Sequence, residues 1–266
     1  MNISNQNSWN VEDTLFPVKE VPIFQDVVST ILERNDKNKR TGYKFIVRED
    51  TGDVISCVTD EYKLVTNGSL FNSTDKIATK LGGTLVEARN FNNKKASYKW
   101  RFKQPIKLNK GEEHKPEILI RNSYDGTSEI SIMAGAFRLV CSNGMIIGTI
   151  LDKTTNRHSI WNDSLENIED MINDSVKRIT SILTEGYDTM SSGKPNQKHI
   201  KGLFKIFPTQ ANEQLTQYLI ANKPETFWDL YNAGTWLLSH AMNRKTWGTG
   251  QIENNLFKTV NEWAKA

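Results

Sequence analysis

One stretch, residues 117–150, constrains the fold more than any other part of the chain. It is dense in β-forming residues and is divided by two turn dipeptides, Asp125-Gly126 and Asn143-Gly144. Both dipeptides suit two-residue hairpin turns, which need positive φ angles. The stretch is therefore predicted to form a three-stranded antiparallel meander.

The middle strand of this meander, residues 127–141, changes the phase of its apolar alternation. Ile132 occupies an even position, whereas Phe137 occupies an odd one. Because a slip of one residue turns side chains to the opposite face, the pattern favours a β-bulge within residues 134–136.

The chain before residue 161 alternates helices with pairs of strands. Residues 1–20 are polar and are predicted to form an irregular arm. Apolar periodicity and turn residues predict helices over 24–34 and 69–81, and strands over 41–50, 54–67, 84–91 and 96–102. Together with the meander, these elements predict an α+β fold built on an antiparallel sheet with an N-terminal helix.

After residue 161 the pattern becomes helical throughout. A long helix is predicted over 164–186, ending near Gly186, and residues 190–195 are predicted to be a linker. Further helices are predicted over 196–206, 209–222, 225–243 and 250–264. The chain is therefore expected to consist of a sheet domain, residues 1–160, and an all-helical C-terminal region, residues 161–266.

Composition narrows the class of protein. The net charge is only +3, so the overall charge does not by itself imply nucleic acid. No apolar run approaches the length of a membrane span, and the N-terminus lacks the pattern of a secretion signal. Cys57 and Cys141 fall in predicted strands, where two buried reduced thiols are expected, with a disulfide as the alternative. These features predict a cytoplasmic protein with no membrane partner.

The predicted hairpin over 84–102 opens an unusually basic segment. Between Arg89 and Lys110 the chain has eight Lys and Arg residues and no Asp or Glu. Strand alternation places the aromatic side chains of Tyr98, Trp100 and Phe102 on one face and the cations on the other.

Two interpretations of this segment stay open. The aromatic stripe faces the core and the cations are solvated, or the cations form a track for a phosphate backbone, as in single-strand binders. The candidate phosphate contacts are Lys94, Lys95, Lys99, Arg101 and Lys103.

Arg121 and Arg138 are weaker candidates for the same role. Both flank turns of the meander, and Arg138 lies within an apolar strand where it needs a partner. That partner is either a carboxylate or a phosphate.

The sequence lacks the usual signs of catalysis. The four histidines are scattered without metal-ligand spacing, and no phosphate-binding loop, dinucleotide fingerprint or nucleophile elbow is present. His240 is interpreted as a core or edge histidine. We therefore expect no enzyme activity, no cofactor and no metal, with a hydrolase that has an unconventional site as the least favoured alternative. The C-terminal tryptophans are interpreted as core, with a stacking or partner surface as the alternative.

Three blocks carry a resemblance to a known family. They are VTDEYKLVTN at 58–67, RNSYDGT at 121–127 with AFRLVCSNG at 136–144, and TFWDLYNAGT at 226–235. Their order and spacing resemble the "phage/plasmid-like protein" family, a domain of unknown function found on mobile elements. This resemblance implies a protein of mobile elements, expected in the cytoplasm of the host cell, and it supplies no established activity or catalytic residues to carry over.

The architecture is also similar to that of phage single-strand annealing recombinases of the Redβ/Rad-type superfamily. That similarity implies a homo-oligomeric ring or filament that holds single-stranded DNA without nucleotide hydrolysis. The predicted function is therefore single-stranded-DNA binding with strand annealing in recombination. The alternative is a protein-interaction module, such as an anti-defence or host-takeover factor.

Overall fold

A computed structural model describes residues 10–24, 39–108, 112–138, 152–156, 165–240 and 249–266. Within these ranges the fold is α+β, as predicted. The strands are β1 Val18–Phe24, β2 Arg40–Arg48, β3 Val54–Thr59, β4 Gly83–Phe91, β5 Lys95–Phe102, β6 Ile106–Lys107, β7 Glu113–Ser123, β8 Ile130–Arg138 and β9 Asp152–Asn156. The α-helices are α1 Asn67–Lys80, α2 Leu165–Ser192, α3 Gln197–Phe204, α4 Asn212–Ala221, α5 Phe227–His240 and α6 Thr249–Lys265. Short 3-10 helices cover Glu12–Thr14 and Thr209–Ala211.

Strands β1, β2 and β3 form a three-stranded antiparallel sheet. Its inner face contributes Val18, Ile46, Ile55 and Val58 to a core cluster that also contains Tyr124. The prediction of an irregular arm over residues 1–20 is wrong from Val18 onward, where β1 begins. The charged residues and the proline of β1 interrupt the alternation of apolar and polar residues that would predict a strand. A strand at the edge of a sheet tolerates both.

Cys57 corrects a second expectation. Its thiol is free and exposed rather than buried. It pairs with Phe45 of β2, whereas Ile55 and Val58 of the same strand enter the core. A register shift in the β2–β3 pairing breaks the strict alternation of β3. Ile55 and Val58 can therefore both enter the core while Cys57 is exposed. Cys141 lies outside the described residues.

The larger sheet has six strands in the order β4-β5-β7-β8-β9, with β6 beside β7. Residues 124–129 connect β7 to β8, so the predicted two-residue hairpin at Asp125-Gly126 is wrong in length. Gly126 does adopt the positive φ, +68°, that favours glycine there.

Strand β8 is buried on both faces from Ile130 to Ala136. Burial on both faces accounts for its irregular alternation, and the predicted bulge stays a prediction. The Asn143-Gly144 turn, the third strand of the meander and most of the predicted helix over 24–34 lie outside the described residues.

The C-terminal helices follow the sequence pattern closely, except at Gly186. Helix α2 continues six residues past this glycine to Ser192. A Cβ on Gly186 would lie 2.5 Å from Cζ of Phe257, so the glycine serves close packing against α6 and does not end the helix. The linker is shortened accordingly to the four residues 193–196.

The chain divides into two compact units. One comprises residues 1–100, 119–132 and 154–172, and the other residues 101–118, 133–153 and 173–266. The core of the first is the cluster around Ile46 and Tyr124. The core of the second lies among its helices and includes Leu183, Leu203, Leu215, Leu230, Leu237, Leu256 and Val260, all at most 3% exposed.

Among the described helices, none is both long enough and apolar enough to cross a membrane.

Candidate nucleic-acid interface

The β4–β5 hairpin is the element on which the predicted interface depends. Its strands match the predicted ranges within one residue. Asn92 and Asn93 form the tip with φ angles of 54° and 59°, which asparagine tolerates better than most residues. The Asn90 side chain donates to the Asn93 side chain and accepts from the Asn93 backbone N–H, both at 2.8 Å. The tip therefore has a fixed conformation that presents the next residue, Lys94.

The aromatic face of β5 belongs to the core. Tyr98 and Trp100 are fully buried, and Phe102 is 5% exposed. The Tyr98 hydroxyl donates to Thr14 Oγ1 at 2.8 Å, and the Trp100 indole donates to Asp75 Oδ1 at 2.8 Å. Burial raises the pKa of Tyr98 to about 12. These rings are unavailable to stack on nucleic-acid bases, which confirms the core-facing interpretation of the stripe.

Two cations on the opposite face of β5 are held by carboxylates. Lys99 Nζ lies 3.7 Å from Glu87 of β4, whose carboxylate also binds Arg89 at 2.9 Å. Arg101 binds Oε1 of Glu117 through Nε at 2.8 Å and Nη2 at 2.7 Å. The Glu117 side chain is only 4% exposed, so this pair is part of the protein interior.

Lys95 is partly engaged by the β7–β8 connection. Its Nζ lies 3.9 Å from Asp125 and 3.4 Å from the Ser128 hydroxyl. Asp125 itself organises the connection, accepting hydrogen bonds from Ser123 Oγ and from the Thr127 backbone and hydroxyl. Although burial by itself raises the pKa of Asp125, these hydrogen bonds hold it below its ordinary value. Asp125 is thus a turn residue with a charged partner.

Of the five candidate cations, Lys94 at the hairpin tip and Lys103 directly after β5 are the two classed as exposed. Within the described residues, neither has a carboxylate within ion-pair distance. Lys107 is also largely exposed, with a long contact of 3.9 Å to Glu113. Of the five predicted contacts, these geometries leave Lys94 and Lys103 most accessible to an external anion.

The two arginines of the meander are placed differently. Arg121 is half-buried in β7, with its Nε shielded from solvent. Arg138 is the last residue of β8, and its side chain lies outside the described part of the structure. Whether the two arginines approach each other, and what Arg138 binds, stay predictions.

Sequence reasoning missed a buried hydrogen-bond network beneath the hairpin. The fully buried Asn122 amide donates to the Val65 carbonyl and to Asn67 Oδ1, both at 2.9 Å. Asn67 in turn donates to the Thr14 carbonyl at 2.9 Å, and its backbone N–H donates to the Tyr124 hydroxyl at 2.6 Å. The signal was present at Asn122, a polar residue inside the apolar strand β7, whereas Asn67 begins α1 at the end of a predicted strand.

This network links the first two blocks that carry the family resemblance. Tyr62 of the first block donates to the Ser123 carbonyl of the second at 2.9 Å. Burial raises the pKa of both Tyr62 and Tyr124 well above the ordinary tyrosine value. The two blocks are therefore a structural unit in which each block satisfies the buried polar groups of the other.

The C-terminal tryptophans divide between core and surface. Trp228 is 3% exposed, which confirms its place in the core. Trp236 is half-buried. Its ring stacks with the ring of Tyr218, with centroids 4.5 Å apart, and with the ring of His240, with centroids 4.9 Å apart. His240 is exposed, and its Nδ1 lies 2.8 Å from the Trp236 carbonyl, so it is an edge histidine. Trp247 lies outside the described residues.

The described residues contain no group of three or more His, Cys, Asp or Glu side chains placed to hold a metal ion.

Fold and site together define an antiparallel α+β protein with a basic hairpin over a buried polar network. The chain belongs to the family described as "Domain of unknown function (DUF932)", whose profile matches residues 54–259. Two proteins of Escherichia coli (strain K12), UPF0380 protein YfjQ and UPF0380 protein YafZ, are each 52% identical to it over 33 residues. That similarity covers 12% of this chain and 12% of each relative. No solved structure matches the chain, and the resemblance to phage annealing proteins stays a prediction.

Proposed function

We propose that this protein is a phage-type single-stranded-DNA-binding protein that anneals complementary strands without nucleotide hydrolysis. The observation that carries the proposal is that Lys94 and Lys103, in a segment free of acidic residues, are each exposed and, among the described residues, each lack a carboxylate within ion-pair distance. Cations of this kind gain most from binding a phosphate backbone, because binding releases condensed counterions and breaks no existing ion pair.

The proposal assigns different roles to the hairpin cations. Lys94 and Lys103 contact phosphates directly, and Lys95 can join them by leaving its long contact with Asp125. Lys99 and Arg101 act within the protein, because a phosphate would have to displace Glu87 or Glu117 to reach them. Arg121 and Arg138 remain secondary candidates. In this proposal the bound strand lies on backbone contacts and its bases stay free to pair.

A charge-reversal pair tests the proposal. We expect Lys94→Glu with Lys103→Glu to weaken binding of a fluorescein-labelled single-stranded oligonucleotide by about tenfold or more in about 100 mM salt. The matched control reverses two exposed lysines elsewhere, Lys19→Glu with Lys76→Glu, and changes the net charge equally. Equal losses in the two variants would show a general charge effect and would count against the hairpin as the site.

Annealing and assembly need their own readouts. Two complementary labelled strands should pair faster with the protein than without it, with no ATP present. Light scattering should show a ring-sized or filamentous homo-oligomer. Binding without faster pairing would leave a single-strand-binding protein that does not anneal.

The second candidate, a protein-interaction module, is favoured by the outer face of the three-stranded sheet. Val21 is 36% exposed, Tyr43 51% and Val54 58%, and the exposed Cys57 lies on the same sheet. Exposed apolar groups concentrated on one sheet are a common mark of protein contacts. A partner bound there would protect Cys57 from a thiol reagent, and the Tyr43→Glu variant would lose that protection.

A further inference from the structure

A second segment without acidic residues lies in the second compact unit, around α3. From residue 189 to residue 212 the chain has no Asp or Glu and has four lysines, Lys194, Lys198, Lys201 and Lys205. All four are exposed. Unlike Lys99 and Arg101, none of them has a carboxylate within ion-pair distance among the described residues.

Helical geometry places these lysines on one face. Lys198 and Lys201 lie in α3, and Lys205 is its C-cap residue with helical backbone angles. At about 100° per residue the three fall within an arc of about 60°, spread over about 10 Å of helix axis. Lys194 precedes the helix by three residues. We call Lys198, Lys201 and Lys205 the lysine face.

The opposite side of α3 is fixed against its neighbours. Leu203 is fully buried, and the His199 ring lies 4.9 Å from Phe227 of α5 and 5.5 Å from Trp263 of α6. Gly202, four residues after Lys198, borders the lysine face, and a Cβ on it would lie 2.7 Å from the Trp263 ring, so the helix packs closely against α6 there as well. In this packing Lys198, Lys201 and Lys205 are all exposed.

The start of α3 is fixed as well. The Asn196 side chain accepts hydrogen bonds from the backbone N–H groups of Lys198 and His199 at 2.9 and 3.2 Å. His199 Nδ1 accepts from the Asn196 N–H at 3.1 Å, which completes a capping box. The lysine face is therefore a preorganised row of cations on a rigid element.

We propose that the lysine face binds the phosphate backbone of single-stranded nucleic acid, an inference that rests on the function proposed above. Exposed cations without partners suit a flexible polyanion, which can follow them without displacing an existing carboxylate. A membrane surface suits the face less well. A helix that lies in a membrane inserts apolar side chains, whereas Leu203 is buried and Ile200 and Phe204 are half-buried within the unit.

The test uses the full chain with the variant Lys198→Glu, Lys201→Glu, Lys205→Glu. Its control, Lys177→Glu, Lys223→Glu, Lys258→Glu, reverses three exposed lysines of the same unit and changes the net charge equally. Affinity for a labelled single-stranded oligonucleotide is measured by anisotropy from about 50 to about 200 mM salt. Thermal melting checks that both variants are folded.

We expect the lysine-face variant to lose about tenfold or more in affinity and to flatten the slope of log K against log salt by about 2 relative to the control variant. If the wild type binds single strands but both variants lose affinity equally, the proposed function survives and this inference fails. If the wild type binds no single strand in low salt, both fail. Tighter lysine-face-dependent binding to duplex DNA, to polyglutamate or to phosphatidylserine vesicles than to single strands would also overturn the inference.

Discussion

At the residue scale, Asn122 shows how much one buried amide can contribute to the first unit. It is fully buried and holds the Val65 carbonyl and the Asn67 side chain through two donated hydrogen bonds. We expect Asn122→Ala to lower the free energy of unfolding by about 2 to 4 kcal/mol, because two buried acceptors would lose their donor. Urea unfolding measures the change. The exposed Asn72→Ala serves as the control and should change stability by less than about 0.5 kcal/mol.

Asp125 gives the first unit a predictable dependence on pH. Its pKa is lower in the folded protein than in the unfolded chain, owing to hydrogen bonds that outweigh the effect of burial. Its contribution is therefore fully present above the unfolded-state pKa of about 4 and is lost as the pH falls through the lower folded-state value. The stability difference between the wild type and Asp125→Asn should shrink as the pH falls from about 5 to about 2 in urea titrations. A difference that stays constant over this interval would contradict the assignment.

At the element scale, two forces oppose each other at Gly186 of α2. Alanine is the better helix former by about 1 kcal/mol, but its Cβ would enter the Phe257 ring. We expect packing to dominate, so that Gly186→Ala is destabilised by about 1 to 3 kcal/mol. Phe257→Leu should remove most of the Gly186→Ala penalty when the two substitutions are combined. Thermal melting measures these changes. Gly68→Ala in α1 is the control and should be neutral or stabilising, because no atom lies within 4 Å of the added Cβ.

Prediction from sequence was most successful where local pattern decides the structure. The β4–β5 hairpin and the C-terminal helices were found from periodicity and turn residues alone, whereas the second strand of the first hairpin, predicted over 54–67, ends at Thr59. Gly186 was misread because a glycine that ends a helix and one that admits a neighbouring ring look the same in sequence. The carboxylate partners Glu87 and Glu117 were missed because they lie on neighbouring strands. A segment that contains no acidic residue can still be paired with strands that do, and the sequence alone does not show which strands pair.

At the scale of the whole molecule, a net charge of +3 conceals an uneven distribution of charge. Several basic side chains form ion pairs with carboxylates, as Lys99, Arg101 and Lys44 do, whereas others are exposed and have no carboxylate within ion-pair distance among the described residues. The exposed ones include Lys94, Lys103 and the lysine face of α3. Composition alone could not separate these two groups, because the distinction depends on which carboxylates the fold brings near.

The most direct test of the account is the affinity of the wild-type chain for a labelled single-stranded oligonucleotide, measured by anisotropy between about 50 and about 200 mM salt. The account predicts tight binding in low salt that falls linearly in log K against log salt, with a slope of about −3.5 if Lys94, Lys103 and the three lysines of the lysine face each neutralise one phosphate. Absence of binding in low salt, or binding that does not change with salt, would contradict it.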